Sequence, residues 1–117
     1  MNLLLAIFFA SFGFNQIEFQ PYPLEIGEKG VLSLHISDLN RDGKNDILAV
    51  SMETRSLLWF ENRGNLKFVS HTISSNASGI VALFPLDFNK DGLTDFITAS
   101  NFADAITYYK NNGLGKF

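Results

Sequence analysis

The 117-residue sequence contains no cysteine, only three prolines and only two histidines. Without cysteine there is neither a disulfide framework nor a zinc–thiolate site. Lysine and arginine never cluster, and the formal net charge is −3, so the basic face of a nucleic-acid binder is missing. No apolar run reaches the roughly 20 residues that a membrane-spanning helix needs. No G-x-S-x-G context marks a nucleophilic serine. His35 and His71 fall on different expected strands, and neither pairs with a nucleophile in the sequence, so they read as surface or packing residues. What remains is a chain that is 46% hydrophobic and 18% charged, enough apolar content for one small packed domain. Its twelve phenylalanines favour strands.

The N-terminus carries the apolar run Leu3–Ala10 (LLLAIFFA), followed by the small residues Ser11 and Gly13. Length and flank match a secretory leader, although no lysine or arginine precedes the run. Residues 1–13 are therefore expected to be a signal peptide, and the mature chain to work outside the cytoplasm, as a secreted, periplasmic or cell-surface protein.

The rest of the chain is a duplication. SDLNRDGKNDI recurs as LDFNKDGLTDF at an offset of 49 residues, and the offset holds without a gap from Gly30/Gly79 to Phe68/Phe117. Twelve of these 39 pairs are identical, which makes coincidence untenable. The Trp59-Phe60 pair maps to Tyr108-Tyr109, and Phe19 lies a further 49 residues upstream of Phe68. Residues 19–68 are accordingly read as a first unit and 69–117 as a second, cut short in its last strand.

Each unit reads as four short strands. In the first these are Val31–Ile36, with Leu32, Leu34 and Ile36 on one face, then Asp46–Ser51, Leu57–Glu61 and the alternating Leu66–Ile73. Turns are expected at Met52–Ser56 and Asn62–Asn65, and the strand around Pro85 should end or bulge there, because proline cannot donate to a ladder. Four antiparallel strands in about 49 residues have the dimensions of one propeller blade. The fold class is all-β, with about two antiparallel four-stranded blades of an incomplete β-propeller; further blades are expected to be missing from this chain.

Between the first two strands of each unit lies an acidic loop. Side-chain oxygens fall at loop positions 1, 3, 5 and 9: Asp38, Asn40, Asp42 and Asp46, then Asp87, Asn89, Asp91 and Asp95. Alternate positions in a tight loop project to one side, so this spacing gathers hard oxygen donors around one point. Gly43 and Gly92 permit the sharp turn at position 6. Position 7 contributes a backbone carbonyl, which leaves its side chain free to be Lys44 or Leu93. Oxygen donors without His or Cys suit Ca²⁺, about two ions per chain at one per loop. An EF-hand is excluded, since position 12 is Ala49 or Thr98 and the flanks are strand-like. Trp59, Tyr108 and Tyr109 are expected to pack within the blades.

The motifs DLNRDGKNDILAVS…LLWFENRGNLKF and DFNKDGLTDFITAS…ITYYKNNGLGKF resemble FG-GAP/VCBS-type repeats, which build the integrin-α propeller and many secreted bacterial propellers. The resemblance covers Gly30–Phe117. It implies a structural calcium in each loop and a non-catalytic adhesion or binding role toward a protein or glycan. The alternative it leaves open is a fragment of a propeller-type carbohydrate-active enzyme such as a polysaccharide lyase.

Overall fold

The computed structural model describes residues 17–24 and 26–117. The expected leader at 1–13 lies outside them. Among the described residues seven strands form two antiparallel meanders: β1 (Val31–Ser37), β2 (Asp46–Ser51), β3 (Ser56–Gly64) and β4 (Lys67–Ser74) in order, then β5 (Ile80–Leu86), β6 (Asp95–Ser100) and β7 (Ala105–Tyr109). The all-β class and the blade-like sheets follow the sequence expectation. The first sheet runs to Ser74, so the 49-residue period that turns over between 68 and 69 does so inside β4. Among the described residues no helix is long and apolar enough to cross a membrane.

Two local expectations need correcting. The chain does not break at Pro85: β5 continues to Leu86, with Pro85 opposite Phe96, and the irregularity lies between Ile80 and Ala82. Pro85 is tolerated because β5 is the outer strand of its sheet, where a missing N–H breaks no ladder bond on the open side. The β3–β4 turn is also later than expected. Gly64 pairs with Lys67, and Asn65 and Leu66 make the turn with φ of 51° and 58°. Two consecutive left-handed residues match the right-handed twist of a tight hairpin.

Alternation along each strand gives each sheet two faces. On the first sheet Leu48, Val50, Leu57 and Trp59 share one face, joined by Leu39 from the loop. They pack against Ile80, Leu83 and Phe96 of the second sheet, and Ala77 from the β4–β5 link completes the cluster. The opposite face of the first sheet carries Ala49, Leu58 and Phe60, against which Ile26, Ile47 and Phe68 pack. The segment after β7 returns to the seam. Phe117 meets Phe96 at 4.8 Å between ring centroids, and a Cβ on Gly115 would collide with the Trp59 ring.

Candidate functional site

The two acidic loops join β1 to β2 and β5 to β6, and they share one backbone solution. In the first, Asp38 accepts from the N–H groups of Asp42 (3.2 Å) and Gly43 (2.9 Å), Asn40 Oδ1 accepts from Asp42 (3.1 Å), and Asp42 Oδ1 accepts from Lys44 N–H (2.9 Å). In the second, Asp87 accepts from Asp91 (3.1 Å) and Gly92 (2.9 Å), Asn89 from Asp91 (3.1 Å), and Asp91 from Leu93 (2.9 Å). The curl needs left-handed backbone at positions 4 and 6: Arg41 (61°) and Gly43 (80°) in one loop, Lys90 (59°) and Gly92 (81°) in the other. A non-glycine residue pays a steric cost in that region, and both loops accept it at the same place.

The carboxylates at position 5 are held anionic. The Lys44 N–H, followed by the Lys44 ammonium group, keeps the Asp42 carboxyl below the usual carboxylate range, although desolvation opposes this. The Leu93 N–H does the same for Asp91, helped by the Asn89 side chain and the charges of Lys110 and Arg41 against desolvation. Both groups contribute stability that is complete above the ordinary carboxylate pKa and is lost as pH falls through the lowered values.

The ninth-position carboxylates behave differently. Asp46 and Asp95 are fully buried. Asp46 Oδ2 accepts from Leu39 N–H (3.1 Å) and Oδ1 from Asn62 N–H (2.8 Å). Asp95 Oδ1 accepts from Asn111 N–H (2.7 Å) and Oδ2 from the Tyr108 hydroxyl (2.6 Å). They therefore clamp each loop to the end of the third strand of its own sheet. Among the described residues no three acidic, histidine or cysteine side chains converge as a ready-made ion cage. The donor chemistry nonetheless fits calcium: every side-chain donor is oxygen, and a carboxylate has about four acceptor sites, so two protein donors leave room for an ion. Lys44 and Leu93 keep their side chains clear of positions 1 and 3, although the Lys44 ammonium group reaches Asp42 Oδ2 at 3.1 Å.

Sequence reasoning did not assign the asparagines that brace the loops. Asn62 Nδ2 donates to Asn45 O (2.8 Å), and its Oδ1 accepts from Gly64 N–H (2.9 Å). Asn111 donates to Thr94 O (3.0 Å) in its own unit and also to Leu39 O (2.8 Å) across the seam. Their identity at the 49-residue offset was the available signal. The serines at the same offset act alike: Ser51 Oγ donates to Lys29 O (2.6 Å) and Ser100 Oγ to Ser78 O (3.1 Å). The aromatic expectations divide. Trp59 is buried with its Nε1 unpartnered, stacked on His71 at 4.4 Å. Tyr109 stacks on Phe96 at 4.6 Å. Tyr108 instead serves the second loop through Asp95. His71 Nε2 lies 2.9 Å from Glu61, and His35 sits near Phe84, so the two histidines form no shared site.

The Tyr108–Asp95 bond has a titration signature. The carboxylate acceptor, then burial, push the Tyr108 phenol up to about 12. A folded-state value above the ordinary 10.0 means that this contribution to stability is present below pH 10 and lost as pH rises toward 12. Ultraviolet titration of phenolate should show a late tyrosine step that disappears in Tyr108→Phe. A late step that survives the substitution would contradict the assignment.

A comparison with known protein families matches residues 38–98 to the FG-GAP-like repeat. The matched stretch begins at Asp38, the first position of the first acidic loop, and includes all of the second loop. Neither the curated proteins nor the solved structures gave a match.

Proposed function

The chain belongs to the FG-GAP-like repeat family, and from that premise we propose that it is an exported, extracytoplasmic β-propeller-type module in which calcium rigidifies the two loops and the blades present a surface for a protein or glycan. The observation that carries the calcium assignment is the duplication of one oxygen set on one backbone curl. Asp38, Asn40 and Asp42, and again Asp87, Asn89 and Asp91, offer oxygens held by the same pattern of N–H groups, with left-handed residues at the same two positions. These six side chains, with the carbonyls of Lys44 and Leu93 and the free lone pairs of Asp46 and Asp95, would hold the ions. Bound calcium would neutralise carboxylates that otherwise repel one another. Export is proposed from the apolar N-terminal run. The role is binding rather than catalysis, since the loop carboxylates are committed to loop structure and the histidines stand apart.

Calorimetric titration tests the assignment. The wild-type chain is expected to take up about two ions, and Asp42→Ala and Asp91→Ala about one each, the donor count per loop being what sets occupancy. In parallel, calcium should raise the wild-type melting temperature relative to chelator by mass action, and each substitution should remove part of that increment. Equal melting with calcium and with chelator would refute it.

A further inference from the structure

We propose that Asn112 is a modification site, at which the side-chain amide closes on the Gly113 nitrogen to give a succinimide and then aspartate or isoaspartate, and that the Asn111 side chain holds this reaction back. Asn112-Gly113 is the single Asn-Gly step in the sequence. Glycine after asparagine leaves the attacking nitrogen least crowded, because it has no Cβ. The turn around this step brings the reacting atoms together. Asn112 Oδ1 accepts from the N–H groups of Leu114 (3.0 Å) and Lys116 (3.3 Å), and Asn112 N–H donates to Lys116 O (3.0 Å). The ring closed by the Leu114 bond is an Asx-turn, and it contains both Asn112 Cγ and Gly113 N. The two N–H groups on Oδ1 also stabilise the negative charge that this oxygen gains when Cγ is attacked, as an oxyanion hole does.

The nucleophile, by contrast, is restrained. Gly113 N–H donates to Asn111 Oδ1 at 2.8 Å, and Asn111 is fully buried, held by its own Nδ2 on Leu39 O and Thr94 O. The amide must lose that proton to attack. A hydrogen bond to an amide oxygen, which does not take the proton, stabilises the unreactive form. The first unit supplies the comparison. At the 49-residue offset Asn62 Oδ1 accepts from Gly64 N–H at 2.9 Å, and Gly64 and Gly113 share a φ of 86°. The residue between is Arg63, so this asparagine-to-glycine bond forms without a side-chain amide at the middle position.

The chemistry balances with water and hydroxide alone. Gly113 N loses its proton to hydroxide and bonds to Asn112 Cγ. The Cγ–Nδ2 bond breaks, and ammonia leaves with a proton taken from water. Water then opens the ring at one of its two carbonyls. One opening leaves aspartate at position 112; the other routes the main chain through the former side chain and gives isoaspartate. Either product sets a carboxylate beside Asn111. The isoaspartate linkage also moves Gly113 N from its place on Asn111 Oδ1, so the reaction loosens the brace that Asn111 lays across the seam to Leu39 O.

Incubation of the full chain at mildly alkaline pH, followed by peptide mapping by mass spectrometry and enzymatic methylation of isoaspartate, is the test. The wild type is expected to gain isoaspartate at position 112, faster as hydroxide rises. Asn111→Ala should accelerate the gain roughly 2- to 10-fold, the factor that one neutral hydrogen bond supplies. Asn112→Arg, which installs the residue that the first unit carries, should abolish it. In concentrated urea the wild type and Asn111→Ala should react at one rate, and the folded wild type should react more slowly than that. A folded wild type as fast as the chain in urea overturns the proposal, whether or not Asn111→Ala folds. So does an absence of modification at position 112 in the folded wild type, and so do equal rates for the folded wild type and folded Asn111→Ala. A variant rate equal to its unfolded fraction multiplied by the rate in urea assigns the acceleration to global unfolding, which overturns it as well.

Discussion

Asp46→Ala is expected to lower the free energy of unfolding by roughly 2–6 kcal/mol, because it orphans two N–H groups, each costing about 1–3 kcal/mol when left without an acceptor. Asp46 is fully buried, and its two oxygens serve Leu39 and Asn62 on separate segments. Alanine would leave both donors without their acceptor, the Leu39 N–H in a buried position and the Asn62 N–H in a partly buried one. Small domains are stable by about 5–15 kcal/mol, so the loss removes much or all of the margin. Asparagine is only a partial replacement, since one of its two terminal atoms is a donor and would face another donor. Urea denaturation in chelator is the measurement. The chelator separates this role from ion binding: Asp42→Ala, exposed and bonded within its own loop, should shift the transition little under the same conditions. A loss below about 1 kcal/mol for Asp46→Ala, no more than one ordinary hydrogen bond, would show that the carboxylate is not a clamp.

Phe96→Ala follows as the second large effect, about 3–5 kcal/mol. The ring is wholly buried where the two sheets meet, with Tyr109 on one side and Phe117 on another. Truncation deletes its transfer free energy and opens a cavity whose walls belong to different sheets and cannot close together without shifting the seam. Phe96→Leu, which retains more volume, should cost markedly less. Phe19→Ala, at a residue 88% exposed, should stay within about 0.5 kcal/mol. Equal costs for Phe96→Ala and Phe19→Ala in thermal or urea unfolding would mean that the seam contributes nothing to the stability of the chain.

Most of the strand pattern was legible because local chemistry and tertiary context agree. Ile47–Val50 is apolar between an acidic loop and a polar turn, and the strand that contains it is buried on both faces. Legibility failed where context overrode a local rule. Proline opposes a ladder only on the side that has one, and nothing in the residues around Pro85 reveals that β5 is an outer strand. The turn at Asn65-Leu66 was displaced because Leu66 adopts a left-handed conformation that its residue type disfavours. At the loops, spacing groups the oxygens at positions 1, 3, 5 and 9 alike and does not reveal the backbone-clamping duty of position 9. Asp46 and Asp38 are the same residue type, and only the three-dimensional path shows that one meets the N–H of Asn62 while the other meets those of its own loop. Leu57 is 0% exposed and its counterpart 49 residues on, Ile106, is 77% exposed, a difference likewise beyond periodicity, which assigns a residue to a face without saying what that face meets.

The meander order of the strands has a consequence for misfolding. Within each sheet every strand pairs with its neighbours in sequence, so each hairpin closes a short loop at small entropic cost. Because the units are duplicates, however, a hairpin from one is a plausible substitute for its counterpart in the other, and such exchange is a characteristic error of repeat chains. Divergence between the copies guards against it. Gly115 lies where only a residue without a side chain clears Trp59, and the counterpart of that indole, Tyr108, is a smaller phenol whose hydroxyl is spoken for by Asp95. Exchanging the two hairpins would strand the indole and leave Asp95 without its hydroxyl donor. The differences between the copies thus do for fidelity what their likeness does for architecture.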